Sequence, residues 1–289
     1  MKDSLNYANF AAQLGAIKNK MNDEQQPIGI FDSGVGGLSI AKDIHALMPN
    51  ENLIYVADQA YAPYGSKSPQ QIQQRCQSIT QFLIEKNCKA IVVACNTATV
   101  NAISFLREQY SLPIIGVEPG IKPAALNSRS GIIGVLATEQ TIQSAAFSSL
   151  INRFKQHVKV EVQACPKMVE LVEANNLLSD EALSIVAEYI SPLLEKGADQ
   201  IALGCTHYVF LEPLISKVIN DRAEIVNTAS PVAAQVQRRL LEKNLLSNAK
   251  HKGNVTLFSS SASEQNINLL NQLWGSEPSH YLHVESFTR

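Results

Sequence analysis

Two stretches decide the reading of this chain: "IVVACNTA" at residues 91–98 and "IALGCTHY" at residues 201–208. Each is a short apolar run that breaks at a cysteine into a polar turn, with a helix-compatible stretch behind it. The two cysteines, Cys95 and Cys205, lie 110 residues apart (205 − 95). A second pair echoes the first. "IGIFDSGVGGLSI" begins at Ile28 and "IGVLATEQTIQSA" at Ile133, an offset of 105 (133 − 28). Two strand–turn–helix units therefore recur in the same order at nearly the same spacing, and the match extends into the polar turns. This predicts two similar α/β domains. Open α/β sheets bind ligands beyond the carboxyl ends of their strands, so both sets of turns are expected to face one cleft.

Outward from these units the pattern continues. "PIGIF", "NLIYVA", "AIVVA", "PIIGV", "GIIGVL", "VKVEVQ", "QIALG", "AEIVN" and "NVTLF" are short, β-branched and apolar, and amphipathic stretches separate them. Such runs read as parallel strands covered by helices on both faces, so the class is α/β with mostly parallel sheets. Residues 1–26 differ. Tyr7, Phe10, Leu14, Ile17 and Met21 recur at steps of three and four, which aligns them on one face of an appended helix ahead of the first strand.

Composition narrows the function. A chain of 289 residues with 45% apolar and 17% charged side chains has the make-up of a globular protein. The formal net charge of −2, with Lys and Arg scattered, lacks the basic footprint that nucleic acid requires. No apolar run reaches the ~18 to 20 residues of a membrane span, and charges near the start replace the apolar block of a signal peptide. Five cysteines, an odd number, form no disulfide framework. A cytoplasmic protein acting on small molecules is expected, with no nucleic acid and no membrane among its partners.

The two cysteine turns offer chemistry. A thiol at a helix start meets unpaired N–H groups and the positive end of the helix dipole, which favour a thiolate and can hold a carboxylate. A single such cysteine reads equally as a packed core residue; a pair at matched positions reads as a pair of reactive thiols. Cys205 and His207 are too close in sequence for the usual zinc-ligand spacing, and no C-x-x-C occurs, so neither a metal nor a dithiol redox site is expected. Cys76, Cys88 and Cys165 read as structural.

In "FDSGVGGLS", Asp32 ends a strand, Ser33 can cap, and Gly34, Gly36 and Gly37 permit close backbone approach to a ligand. The glycine spacing is not that of a dinucleotide loop and no Walker lysine follows, so the loop suits a small anion or an amino acid. "YAPYGSKS" places Tyr64 and Gly65 in a turn on the same side of the sheet. Thr138 and Thr141 follow "GIIGVL" and can donate to a carboxylate or cap a helix. Glu173 and His207 are candidates to orient a thiol.

Together these pieces, "FDSGVGGLS", "PYGSKS", "VVACNTA", "GVEPGIKPA", "GVLAT", "MVELVE" and "LGCTHY", resemble the glutamate racemases of the cofactor-independent aspartate/glutamate racemase superfamily, in that family's order from about residue 27 to 230. The resemblance implies two pseudo-twofold-related domains, 27–118 with 228–289 and 119–227, with the site between them. It implies that Cys95 and Cys205 flank the substrate Cα as acid and base, with no cofactor and no metal. Asp32, Glu173 and His207 would assist at the neighbouring thiols. Asp32, Ser33, Tyr64, Gly65, Asn96, Thr97, Thr138, Thr141, Thr206 and His207 would contact glutamate. It further implies a homodimer, a role in supplying D-glutamate to peptidoglycan, and a UDP-muramoyl peptidoglycan precursor as an activator for members with such extensions. Val209, where the family has proline, and Asn227, where it has aspartate, depart from the pattern. Three other readings stand beside it: aspartate racemisation, acyl transfer by Cys205 and His207, and a non-catalytic amino-acid-binding regulator.

Overall fold

The computed structural model describes residues 24–275 and 280–283, and the appended helix expected within residues 1–26 falls almost wholly outside them. Ten strands are present: β1 (Ile28–Asp32), β2 (Leu53–Ala57), β3 (Ala90–Val93), β4 (Ile114–Gly116), β5 (Ile132–Ala137), β6 (Lys159–Ala164), β7 (Gln200–Leu203), β8 (Glu224–Val226), β9 (Val255–Ser259) and β10 (His280–His283). They form two parallel sheets, one ordered β10-β9-β2-β1-β3-β4 and the other β6-β5-β7-β8. The four-strand order β2-β1-β3-β4 is thus repeated as β6-β5-β7-β8.

The repeat holds residue by residue. Gly29 pairs with Ile91 in the first sheet and Gly134 with Ile201 in the second, the same positions displaced by 105 and 110. A parallel register is set by which face of each strand is buried, so two units with the same apolar pattern settle into the same register. Nine of the strands are those expected from the apolar runs. β10 is the addition: a four-residue edge strand whose His-Tyr-Leu-His sequence carries no apolar run, extended because β9 offers an unpaired edge.

Helices cover both faces. Pro69–Glu85 shows why the sequence starts one where it does: Ser68 accepts from the Gln71 N–H, Gln71 reaches back to the Ser68 N–H, and Pro69 fills a first-turn position needing no donor. Alternation along β3 sends Ala90 and Val92 into one apolar cluster and Ile91 and Val93 into another. The first of these clusters is continuous across both units: Ile28, Ile30 and Leu38 share it with Leu203, Tyr208 and Leu211. At the carboxyl ends of the strands the two units bring their turns together.

Candidate active site

In the first unit, β1 delivers Asp32 and the glycine loop. Asp32 Oδ2 accepts from the N–H groups of Gly34 (3.3 Å) and Gly37 (3.1 Å), while the Tyr55 hydroxyl donates to the Gly34 carbonyl (2.8 Å) and pins the loop from β2. β3 delivers Cys95, which caps the helix Asn96–Gln109: its sulfur accepts from the Ala98 N–H at 3.4 Å. The thiol also lies 3.7 Å from the Ser33 hydroxyl.

In the second unit, Cys205 follows β7 at the matching position, but its side chain caps nothing. The α-helix expected directly behind it is preceded by a 3-10 helix, Thr206–Leu211, and α-helix begins only at Glu212–Ile219. Pro213 fits this start, since a proline has no N–H to give the carbonyl four residues back and so belongs in a helix's first turn. Cys205 Sγ instead lies 3.8 Å from His207 Nδ1. Val209 sits within this 3-10 helix, and Asn227 bridges its end, donating to Glu212 (2.9 Å) and accepting from the Ala229 N–H (3.3 Å).

The units meet where the glycine loop has no side chains. A Cβ on Gly34 would overlap the Glu173 carboxylate, and one on Gly36 would overlap the His207 ring and backbone. Their absence lets Glu173 Oε1 accept from the Val35 N–H (2.9 Å) while it contacts His207 Nε2 (2.6 Å). On the other side, Thr97 Oγ1 meets Thr138 Oγ1 at 2.8 Å, and Thr138 meets Thr141 at 2.9 Å. Between these two seams lies a cavity of about 120 Å³.

Eight of the residues singled out in the sequence line it: Ser33, Tyr64, Gly65, Cys95, Thr97, Thr138, Cys205 and His207. Asp32, Asn96, Glu173, Thr141 and Thr206 adjoin it through the contacts above or as chain neighbours of the thiols. Tyr64 presents its ring to the cavity, with its hydroxyl turned away to donate to Asp58 (2.6 Å), itself paired with Arg75. The sequence reading missed Pro166, Val169, Glu170 and Glu139 on the cavity wall, and also the backbone of Val35 and the amide of Gln59 on Glu173. The rule that ligands sit beyond strand ends points to Pro166, which follows β6; nothing local marks Val35 or Gln59.

The electrostatics differ from one thiol to the other. Burial, followed by the Asp32 charge, pushes the Cys95 thiol well above its ordinary pKa, against the pull of the Ala98 N–H. The expected lowering by the helix start is present but outweighed, because the site encloses the sulfur. Burial also raises Asp32 against His207 and the Gly37 N–H. For His207, burial acts downward, but hydrogen bonds to Cys205 and Glu173 and the Asp32 charge hold it well above its ordinary value. Burial acts upward on Glu173, and His207, the Val35 N–H and Gln59 together keep it below the usual carboxylate range. His207 thus sits between two carboxylates, 2.6 Å from Glu173 and 3.9 Å from Asp32. Cys76, Cys88 and Cys165 are buried, and burial pushes all three up.

Four buried polar groups point to a ligand. Asp32 Oδ1, both side-chain polar atoms of Asn96, and Thr206 Oγ1 have no hydrogen-bond partner. Buried groups left unpaired cost free energy, so four around one cavity mark a place where a polar molecule completes them. Among the described residues no group of three or more His, Cys, Asp or Glu side chains could hold a metal ion, and no helix is long and apolar enough to cross a membrane.

Two repeated parallel-sheet units bring one thiol each to a shared cavity, an arrangement suited to acid–base chemistry. The chain belongs to the Asp/Glu/hydantoin racemase family, whose model matches residues 37–238. Among curated relatives, a glutamate racemase of Ectopseudomonas mendocina is 48% identical over 227 residues, 78% of this chain and 86% of that one. Among solved structures, glutamate racemase isoform RacE1 of Bacillus anthracis superposes with a TM-score of 0.84 at 30% identity, covering 92% of this chain and 100% of that one. The Escherichia coli glutamate racemase, in complex with L-glutamate and the activator UDP-MurNAc-Ala, gives a TM-score of 0.80 at 32% identity, covering 90% and 98%.

Proposed function

We propose that this protein is a glutamate racemase that interconverts L- and D-glutamate without a cofactor, using Cys95 and Cys205 as the two bases on opposite faces of the α-carbon. The observation that carries the reading is the pair of thiols, one from each repeated unit, at one cavity, with unpaired buried polar atoms on Asp32, Asn96 and Thr206, each a chain neighbour of a lining residue. The relatives named above supply the substrate.

Racemisation removes the α-proton from one face and returns a proton to the other. One sulfur must be thiolate while the other is thiol, and the roles exchange with direction. Burial and the Asp32 charge disfavour the thiolate at Cys95. For the enantiomer whose α-proton faces Cys205, that sulfur takes the proton while Cys95 returns one to the opposite face; for the other enantiomer the roles are reversed. Asp32 and His207 then serve as the immediate proton-holding neighbours of the two thiols, and Glu173 holds His207.

The α-proton is far less acidic than a thiol, so the site must stabilise the charge that develops on the α-carboxylate. Preorganised donors do this at low reorganisation cost. Suitable ones are the N–H groups after each cysteine, the Asn96 amide and the Thr206 hydroxyl, with Ser33, Gly65 and Tyr64 on the wall. The Thr97, Thr138 and Thr141 hydroxyls are placed for the second carboxylate. Enclosure between the two units, divided at 118/119 and 227/228, excludes the water that would screen these interactions.

The product's role is supply of D-glutamate for peptidoglycan, in the cytoplasm, by a homodimer responsive to a UDP-muramoyl precursor. Assays with and without that precursor, on the full chain and on a chain lacking residues 1–24, test the activation. The reaction itself is tested by incubating purified, cofactor-free protein with glutamate in heavy water. Exchange of the α-proton with loss of optical rotation is expected; tight binding without exchange, or preference for aspartate, overturns the assignment.

A further inference from the structure

Glu173 carries the contact that holds His207 beside Cys205, and its second oxygen has a partner of its own. Glu173 Oε2 accepts from the Gln59 side-chain amide at 3.5 Å. Gln59 stands just past β2 in the first unit, 8% exposed, and its own oxygen lies 2.8 Å from the hydroxyl of Ser259, which is fully buried at the end of β9. Ser259 Oγ already accepts from the Ser261 N–H (3.0 Å). The Glu173 carboxylate only accepts, so the NH₂ end of Gln59 must face it, and the Ser259 hydrogen then goes to Gln59 Oε1. The two contacts together fix which way the amide faces.

We propose that Gln59 is a positioning residue for the second thiol: set by Ser259, its amide holds the Glu173 carboxylate against His207 and thereby fixes the imidazole beside Cys205. The role rests on the two-thiol reading above and deepens it. It also gives the terminal part of the chain a place in the site. β9 is made last but one among the strands, yet its Ser259 lies two hydrogen bonds from the carboxylate that grips His207. A half-buried carboxylate with one oxygen committed to Val35 and His207 can rotate about its last bond, and a donor on the other oxygen removes that freedom.

The groups that face Glu173 are His207 and, through it, Cys205 from the turn after β7, Asp32 from β1, Tyr55 from β2, and Glu264 from the helix Glu264–Trp274 across a neighbouring cavity. Only His207 adds positive charge. Removing the Gln59 donor leaves Glu173 more easily protonated, so His207 loses its charged partner at a higher pH than in the wild type.

The test is the pH profile of glutamate racemisation in wild type, Gln59→Leu, Gln59→Glu and Ser259→Ala, with circular dichroism melting of each. In Gln59→Leu the acid limb of kcat/KM is expected to move up by about half a unit to one unit, the size of one hydrogen bond to a carboxylate. Turnover at neutral pH should fall about fivefold, which one such bond also accounts for. Gln59→Glu, which sets a carboxylate against Glu173, should move the limb further the same way. Ser259→Ala, which frees the amide to turn over, should move it less. A residue that only packs would lower the melting temperature with the limb unmoved. That result in Gln59→Leu, or in Ser259→Ala should the first variant fail to fold, overturns the role. Wild-type protein that does not racemise glutamate breaks the reading of function and this role with it; wild-type racemisation with unmoved limbs breaks the role alone.

Discussion

Cys95 follows β3 and Cys205 follows β7 at positions the repeat makes equivalent, yet the two sulfurs meet different neighbours. Cys95 has a helix N–H at 3.4 Å and the Asp32 carboxylate close by; Cys205 has an imidazole nitrogen at 3.8 Å and no capping bond. The difference arises at a few substituted positions within a shared backbone. Displacement by 105 sets Asp32 against Ala137, and displacement by 110 sets Thr97 against His207. The repeated strands place two sulfurs; the residues that are not repeated decide which groups each one meets. A symmetric scaffold is useful for a carbon approached from both faces, and the unrepeated neighbours give each face its own hydrogen-bond partners.

The strongest way to break the comparison is to remove one sulfur at a time. Cys95→Ala and Cys205→Ala are each expected to lower racemisation by about 10²–10⁴-fold, the range for a lost general acid or base. Polarimetry with both enantiomers reads this, and a variant that keeps substantial activity shows that its thiol is no partner in proton transfer. Next is the seam. Gly36→Ala drives a methyl group into His207 and is expected to cost about 10²-fold in kcat, as misplacement by an ångström does elsewhere. Gly131→Ala, in a turn with open space around it, should lose stability through its positive φ and leave kcat alone.

The third prediction uses pH. Glu173 is depressed in the folded protein, so its contribution to stability is present above its unfolded pKa and is lost as pH falls through the folded value. His207 is raised, so its contribution is full below its unfolded pKa and is lost as pH rises through the folded value. The ion pair therefore contributes fully between the two unfolded values and weakens as pH moves out toward each folded value. The difference in melting temperature between wild type and Glu173→Gln should be greatest in that window and shrink on both sides; a difference independent of pH removes the ion pair from the account. The smallest effect is expected at Thr206→Val. Its hydroxyl is buried without a partner, so the variant should melt slightly higher, by up to about 1 kcal/mol, while KM for glutamate rises about tenfold. An unchanged KM would show that the hydroxyl does not meet the substrate.

The paired offsets made nine strands, their order of repeat and both thiols legible in the sequence, because apolar period and polar turn are local signals. β10 was not legible: an edge strand needs only one neighbour and so requires no apolar run. The expected helix start is present at Cys95, but enclosure outweighs its N–H groups. Behind Cys205 a 3-10 helix comes first, and the α-helix begins only at Glu212. Gln59 and Val35 were hidden because their contacts with Glu173 span more than a hundred residues of chain, and no spacing rule reaches that far.

The place of β9 has a consequence for how the molecule is made. The second sheet is complete at β8, before β9 exists, whereas the first sheet waits with the outer edge of β2 unpaired. During synthesis that edge is a strand seeking a partner, the kind of surface on which nascent chains stick to one another. β9 closes it and brings Ser259 to Gln59 in the same movement. Protection of the nascent sheet and completion of the cavity's supporting contacts therefore fall at one moment, when β9 joins the sheet.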